Sequence, residues 1–223
     1  MTEISRVTRS KETAKASYDR MSGFYDLLAG LSEKRYNDLG LILLHVQPGE
    51  SVLEIGFGTG KTLLPLASIV GPVGRVYGLD ISEGMVSKAS ARLREAGLSD
   101  RVELRCGDAV ALPFPGGSVD AIFLCFTLEL FDSPEIPLVL KKCRQALHSN
   151  GRICVVAMSN KGKPNTMTRL YDWAHQIFPN YVDCRPIDVQ QALEAAGFRT
   201  KETRLMRMWG LPIEIVLAEG NND

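Results

Sequence analysis

Val52-Leu53-Glu54-Ile55-Gly56-Phe57-Gly58-Thr59-Gly60 is the stretch that decides the fold. An apolar run of the kind a buried parallel strand needs passes directly into three glycines at alternate positions, and a helical pattern follows over residues 59–70. Glycine lets the backbone turn sharply and approach a ligand closely, while the first turn of a helix leaves N–H groups without partners. Such a turn can hold a dinucleotide, a phosphate or an amino-acid carboxylate. The dinucleotide pattern G-x-G-x-x-G/A meets Lys61 at its third glycine position, where a side chain would disturb helix–strand packing. The phosphate-loop pattern G-x-x-x-x-G-K-S/T ends correctly in Gly60-Lys61-Thr62, but its first glycine falls on Ile55. A loop one residue short would not wrap phosphates in the same way.

Three acidic residues narrow the choice. Asp80 closes a second strand, Arg75–Asp80, 24 residues beyond Gly56, where a carboxylate can accept both ribose hydroxyl hydrogens. Asp108 follows a third strand, Val102–Cys106, within Cys106-Gly107-Asp108-Ala109. A loop there faces the same crevice, and its carboxylate can accept from the exocyclic amine of adenine. Each also has a plainer reading, Asp108 as a turn cap and Asp80 as a cap residue beside Ser82. Glu54 lies inside the first strand, where it would not help bind a phosphate but can order the turn or reach an ammonium group.

Outward from this stretch, strand and helix patterns alternate, which predicts a doubly wound α/β fold with a mostly parallel sheet covered on both faces. Ser82 is placed to cap a helix carrying Met85, Ala89, Leu93 and Ala96 on one face, closed by Gly97. Residues 119–126 form a fourth strand, nearly all apolar. Ile136, Val139, Leu140, Cys143 and Leu147 have the spacing of an amphipathic helix. A fifth strand at 152–158, a helix at 187–196 and strands near 199–208 and 212–218 complete the pattern. The whole, 1–223, reads as one domain: an N-terminal helical cap (1–46), a core (47–160), an insertion over an acceptor site (161–186), and a C-terminal helix and strands (187–223).

Composition sets limits. Among 223 residues, Lys+Arg and Asp+Glu each number 26, so no net field favours nucleic acid or anionic lipid. Arg199, Lys201, Arg204 and Arg207 form a local basic run that reads as a solvated strand face. The N-terminus has no apolar core of a secretory signal, and the longest nearly uncharged apolar stretch, 121–128, is far too short to span a bilayer. Five cysteines (106, 125, 143, 154, 184) form no CxxC pair; Cys106, Cys125 and Cys154 fall in strand-like runs as small hydrophobes, which suits a reducing cytoplasm. No His/Cys/Asp cluster has metal-ligand spacing. His45 and His148 read as helix-surface residues.

In order and spacing, VLEIGFGTG (52–60), VYGLDIS (76–82) and GDAVALPFPGGSVDAIF (107–123) resemble the class I S-adenosylmethionine (SAM)-dependent methyltransferases. The likeness is to the group that holds the UbiE-like quinone and the phospholipid methyltransferases. It covers residues 18–158 and weakens beyond. Ser149-Asn150-Gly151 departs from the family's P-G-G turn, and Gly116 stands where the family often has an acid. The resemblance implies a seven-stranded sheet with the last strand antiparallel and SAM across the carboxyl ends of strands one to three. By matching positions, Gly56, Gly58 and Gly60 would approach the methionine portion, Glu54 its ammonium, and Asp80 the ribose. Ile81 and Met85 would pack round the adenosine, with Gly107, Asp108 and Ala109 at the adenine. Phe126 and Thr127 would line the floor beside the sulfonium. Tyr18 and Tyr25-Asp26 resemble features of early helices that close over the cofactor.

The reaction so implied is an in-line displacement at the methyl carbon, for which the protein supplies alignment, desolvation and a base. Glu129, just past strand four, is placed to deprotonate or orient the nucleophile; its plain reading is a solvent-facing loop carboxylate. His175, in an insertion with Tyr171, Trp173, Tyr181, Asp183 and Arg185, is a second candidate base, or a packing residue. A helical cap and an aromatic-rich insertion suit a small or lipid-like acceptor and a peripheral membrane contact. Quinone-ring C-methylation is the first expectation, phospholipid headgroup or small-amine N-methylation the second, and a non-catalytic SAM- or nucleotide-binding protein the competing class. Neutral charge and the absence of an Asn/Asp-Pro-Pro-Tyr run after strand four disfavour a nucleic-acid substrate.

Overall fold

The least polar runs in the chain lie at the middle of its sheet. The computed structural model describes residues 30–111, 114–162, 167 and 185–220. In chain order the elements are α1 (Gly30–Leu44), β1 (Ser51–Ile55), α2 (Leu63–Val70), β2 (Arg75–Asp80), α3 (Glu83–Glu95), β3 (Val102–Cys106), β4 (Val119–Cys125), α4 (Ile136–Ala146), β5 (Leu147–Met158), α5 (Val189–Ala195), β6 (Phe198–Met208) and β7 (Leu211–Gly220). The sheet order is β3-β2-β1-β4-β5-β7-β6. Pairs β1–β2, β2–β3, β1–β4 and β4–β5 are parallel, and β7 is antiparallel to both neighbours. This is the expected mostly parallel, seven-stranded sheet.

Alternation along the central strands sorts the core into two layers. Leu53, Ile55, Ile122 and Leu124 pack with Ile136, Val139 and Leu140 of α4 and with Val189 and Leu193 of α5. Val52, Ala121 and Phe123 face the other way, onto Leu44 of α1, Leu63, Leu66 and Val70 of α2, and Met85, Ala89 and Leu93 of α3. Burying each such aliphatic or aromatic side chain is worth about 1.5–3 kcal/mol. Gly40 lets α1 press onto the sheet, because a β-carbon there would lie 2.7 Å from Val156 and 2.8 Å from Phe123. The strand order reverses between β2-β1 and β1-β4, which opens a crevice at the carboxyl ends, the usual place for a ligand in such sheets.

Some boundaries differ from the sequence reading. The helix after the glycines starts at Leu63 rather than Thr59, because Gly58 and Gly60 adopt φ of +54° and +79°, outside helical space. β5 begins at Leu147, where it already pairs with Val119 of β4. His148 therefore sits exposed on that strand, not on a helix. Cys106 is exposed, because β3 is an edge strand. Cys143 and Cys154 are buried. Among the described residues no helix is long and apolar enough to cross a membrane. Residues 1–29 and 168–184, which include most of the expected cap and insertion, lie outside the described residues.

Candidate active site

The glycine turn is built by close approach. The N–H of Gly56 donates to Leu79 O at 2.7 Å, and that of Gly60 to Phe57 O at 2.9 Å. All three glycines have positive φ, strained for any L side chain. At Gly56 a β-carbon would collide with the Thr127 side chain, and at Gly60 it would lie 2.7 Å from the Ala89 β-carbon. At Gly58 it would meet nothing within 4 Å. Two glycines thus serve packing, and the middle one borders open space.

Asp80 ties this turn to the next loop. Its Oδ2 accepts the Gly58 N–H and its Oδ1 accepts the Ser82 N–H, each at 2.9 Å. Ser82 is the cap foreseen for α3, with Oγ accepting the Met85 N–H at 3.1 Å. The Gly107 N–H donates to Asp80 O at 2.8 Å, which holds the β3 loop beside the β2 loop. Asp108 Oδ1 accepts the Val110 N–H at 2.9 Å, capping a short 3₁₀ turn over Ala109–Ala111. Both acids therefore stand at one edge of the sheet and both also cap. Ile81 is half-buried, whereas Met85 and Ala109 are buried in the two apolar layers.

The end of β4 lies against this turn. Phe126 has φ of +50°, an outlier for an aromatic residue, and donates its N–H to Val156 O at 2.8 Å. Thr127 Oγ1 lies 3.0 Å from Cys125 O and 3.4 Å from Gly56 O, stitching the end of β4 to the glycine turn. Tyr36 meets Phe126 edge to face, with ring centroids 6.3 Å apart, and its hydroxyl donates to Arg207 O at 2.6 Å. Asn37 Nδ2 donates to Thr62 Oγ1 at 2.5 Å.

Sequence reasoning missed this use of α1. Glu33, Tyr36 and Asn37 have the i, i+3, i+4 spacing that places them on one helix face, a signal that marks the face but not the distant partners it meets.

Electrostatically the site is acidic and dry. Burial pushes the Glu54 carboxyl up to about 8; a hydrogen bond with Thr62 opposes this and the charge of Asp80 adds to it. Its Oε2 is buried and has no hydrogen-bond partner, as is the case for Asn37 Oδ1. Burial likewise raises Glu33 to about 7, opposed by Lys61. Glu129 is fully buried, not solvent-facing as its plain reading had it, with Oε1 accepting the Met158 N–H at 3.1 Å. Burial first, and then the charges of Glu33, Glu54 and Glu129, hold the Cys125 thiol well above its usual range. Three glutamates thus gather round the end of β4, an environment suited to a cationic ligand. Among the described residues no group of three or more His, Cys, Asp or Glu side chains is placed to hold a metal ion. Tyr25 and His175, with Tyr18, Asp26, Tyr171, Trp173, Tyr181 and Asp183, lie outside the described residues. Arg185, at the end of the expected insertion, is buried, with its guanidinium donating to Ser133 Oγ at 3.1 Å.

Residues 52–151 match the methyltransferase domain family. The chain is 32% identical over 185 residues to the demethylmenaquinone methyltransferase of Lactococcus lactis subsp. lactis, covering 80% of this chain and 67% of that protein. It is 32% identical over 167 residues to the ubiquinone/menaquinone biosynthesis C-methyltransferase UbiE of Ectopseudomonas mendocina, covering 75% and 63%. To the nocamycin O-methyltransferase of Saccharothrix syringae it is 36% identical over 136 residues, covering 61% and 48%. These matches span about half to two thirds of the length of the curated relatives. The fold is similar to that of the [4+2]-cyclase SpnF, with a TM-score of 0.80 at 18% identity over 99% of each chain. It is also similar to that of geranyl diphosphate C-methyltransferase from Streptomyces coelicolor, with a TM-score of 0.69 at 15% identity over 84% of this chain and 76% of the other. With the open glycine turn, the paired edge carboxylates and these relatives, the chain belongs to the class I SAM-dependent methyltransferases, in their UbiE-like group.

Proposed function

We propose that the protein transfers the methyl group of SAM to a small hydrophobic acceptor, with a quinone ring carbon as the favoured target. The observation that carries this reading is the pairing of open space at Gly58 with buried, partly unpartnered acid at Glu54, next to Asp80. SAM carries an ammonium and a sulfonium, so a dry carboxylate facing them gains a counter-ion. A cation favours ionisation of this acid, whereas a phosphate opposes it.

In this reading Glu54 and the glycine turn hold the methionine portion, and Asp80 accepts from the ribose with the lone pairs its backbone bonds leave over. Ile81, Met85, Gly107, Asp108 and Ala109 flank the adenosine, Phe126 and Thr127 form the floor, and Tyr25 is a further candidate for cofactor binding. When bound, SAM supplies an activated methyl group. The chain's own residues align the acceptor and exclude water. Glu129, fixed by the Met158 N–H, orients the nucleophile or holds its proton, with His175 as the second candidate base.

The quinone acceptor draws support from the relatives named for quinone methylation and from the apolar Tyr36–Phe126 wall. A small-molecule oxygen acceptor is the second reading, favoured by the nocamycin O-methyltransferase; phospholipid headgroup or small-amine N-methylation comes next. A peripheral membrane contact and a cytoplasmic location fit a lipid-soluble acceptor.

The test is formation of S-adenosylhomocysteine with demethylated naphthoquinols, hydroxylated aromatics, phosphatidylethanolamine and small amines in parallel. Turnover with the quinol and a methylated ring carbon in the product is expected. Turnover confined to amines would overturn the acceptor, and binding of NADH or ATP without SAM would overturn the cofactor.

A further inference from the structure

β6 and β7 are joined by two residues, Trp209 and Gly210, with φ of +52° and +86°. A two-residue hairpin turn with both residues at positive φ favours Asn-Gly or Gly-Gly, and a bulky side chain at its first position is strained. Trp209 is also 66% exposed. The chain therefore keeps a large aromatic group in water, at a position where asparagine would fit better. Neither core packing nor turn geometry accounts for that.

The surroundings point to an interface. Leu205 is 58% exposed, and Arg207 is exposed between it and Trp209 on the edge strand β6. The other cations of this strand are matched, Arg199 and Lys201 to Glu219 and Arg204 to Glu202. Arg207 has no carboxylate partner among the described residues. The hairpin tip also lies where contact would matter. β6 runs in the direction of β1 and β4, so Trp209 stands at the carboxyl edge of the sheet, the edge that carries the glycine turn. Tyr36 links the two, since its hydroxyl bonds Arg207 O and its ring meets Phe126.

We propose that Trp209, Leu205 and Arg207 form an anchor for an anionic phospholipid bilayer, with the indole and leucine in the headgroup boundary and the guanidinium on lipid phosphate. An indole joins an apolar body to one N–H donor and prefers such a boundary, and a planar guanidinium binds phosphate through two parallel hydrogen bonds. The anchor sets the carboxyl edge of the sheet against the membrane, where a lipid-soluble acceptor is concentrated; its purpose rests on the acceptor reading above, but its physics does not.

The test is co-sedimentation of the full chain with phosphatidylcholine vesicles, with and without phosphatidylglycerol. The wild type should bind the anionic vesicles. Trp209→Asn should lower that partition by about tenfold, with an unchanged or raised melting temperature and unchanged SAM affinity. Arg207→Gln should remove the preference for phosphatidylglycerol. In a Trp173→Phe background, the emission of Trp209 should shift to the blue when anionic vesicles are added. Equal partition of the wild type and Trp209→Asn would overturn the proposal. So would loss of a dimer in Trp209→Asn without a change in vesicle binding, which would assign the patch to a second copy of the chain. Vesicle binding that persists while no quinol is methylated would retain the anchor and reject the acceptor; quinol turnover without vesicle binding would do the reverse.

Discussion

Glu50 and Glu54 stand four residues apart at the two ends of β1, and the fold treats them in opposite ways. Burial pushes Glu50 upward, but Arg152 overrides it with hydrogen bonds at 2.9 and 2.8 Å, helped by the Gln47 N–H, and the carboxyl ends below its usual range. Around it the amino edge is matched in detail: the Ser51 N–H donates to Asp120 at 2.8 Å, and Arg152 Nε donates to Leu44 O at 2.6 Å. At the other end burial prevails, and Glu54 rises to about 8 with one oxygen unpartnered. An edge that only supports the fold satisfies its polar groups. The carboxyl edge leaves a buried acid and an amide oxygen unsatisfied beside strained backbone, which fits the ligand proposed for it.

Substitutions along these two edges rank by their expected effect on SAM affinity. Gly56→Ala should have the largest, about 100-fold weaker binding by calorimetry, because the added β-carbon meets Thr127 at a φ of +73° and the turn must shift. Asp80→Ala removes two backbone acceptors and the proposed ribose partner, and should cost about 1–3 kcal/mol, or about 5- to 150-fold in affinity. An unchanged affinity would assign Asp80 to capping alone.

Glu54→Gln should weaken SAM by about tenfold near pH 8 and less at lower pH, since the acid is protonated there in the wild type. Its stability signature has a definite sign. Glu54 in the folded chain keeps a proton that the unfolded chain releases near 4.5. The destabilisation is therefore absent below about 4.5, grows up to about 8 and is constant above. Glu33, raised to about 7, acts in the same direction. Melting temperature of the unliganded protein should fall as pH rises through this window, and Glu54→Gln should flatten the fall. Glu50→Gln closes the series: it should lose about 1–3 kcal/mol of stability in urea unfolding and leave SAM affinity unchanged. A weakened SAM affinity in Glu50→Gln would mean that the two edges are coupled rather than separate.

What could be read in the sequence was local. The strand–glycine–helix order and the acids closing β2 and following β3 lie within short windows, and the structure has them at one sheet edge. Ser82 as a cap was legible for the same reason, because its partner is three residues away. The α1 contacts were not, since Asn37 reaches Thr62 across 25 positions and Tyr36 reaches Arg207 across 171. No periodicity announces such pairs. Burial of Glu129 was hidden too, because it follows from how β5 packs beside the end of β4. Cys106, read as a small hydrophobe in a strand-like run, is exposed, because strand pattern does not say which strand is the outermost. Asp80 and Asp108 offered binding and capping as alternatives; their backbone bonds show that capping operates in both, and leave lone pairs for the proposed binding.

The separation of the two edges is tested most directly by the protons exchanged when SAM binds. Calorimetric titration near neutral pH in two buffers of different ionisation heat counts them. A cation arriving beside protonated Glu54 should expel a proton, giving a net release that Glu54→Gln abolishes or sharply reduces and Glu50→Gln leaves intact. Binding without proton release, or the same release from Glu54→Gln, would contradict the account.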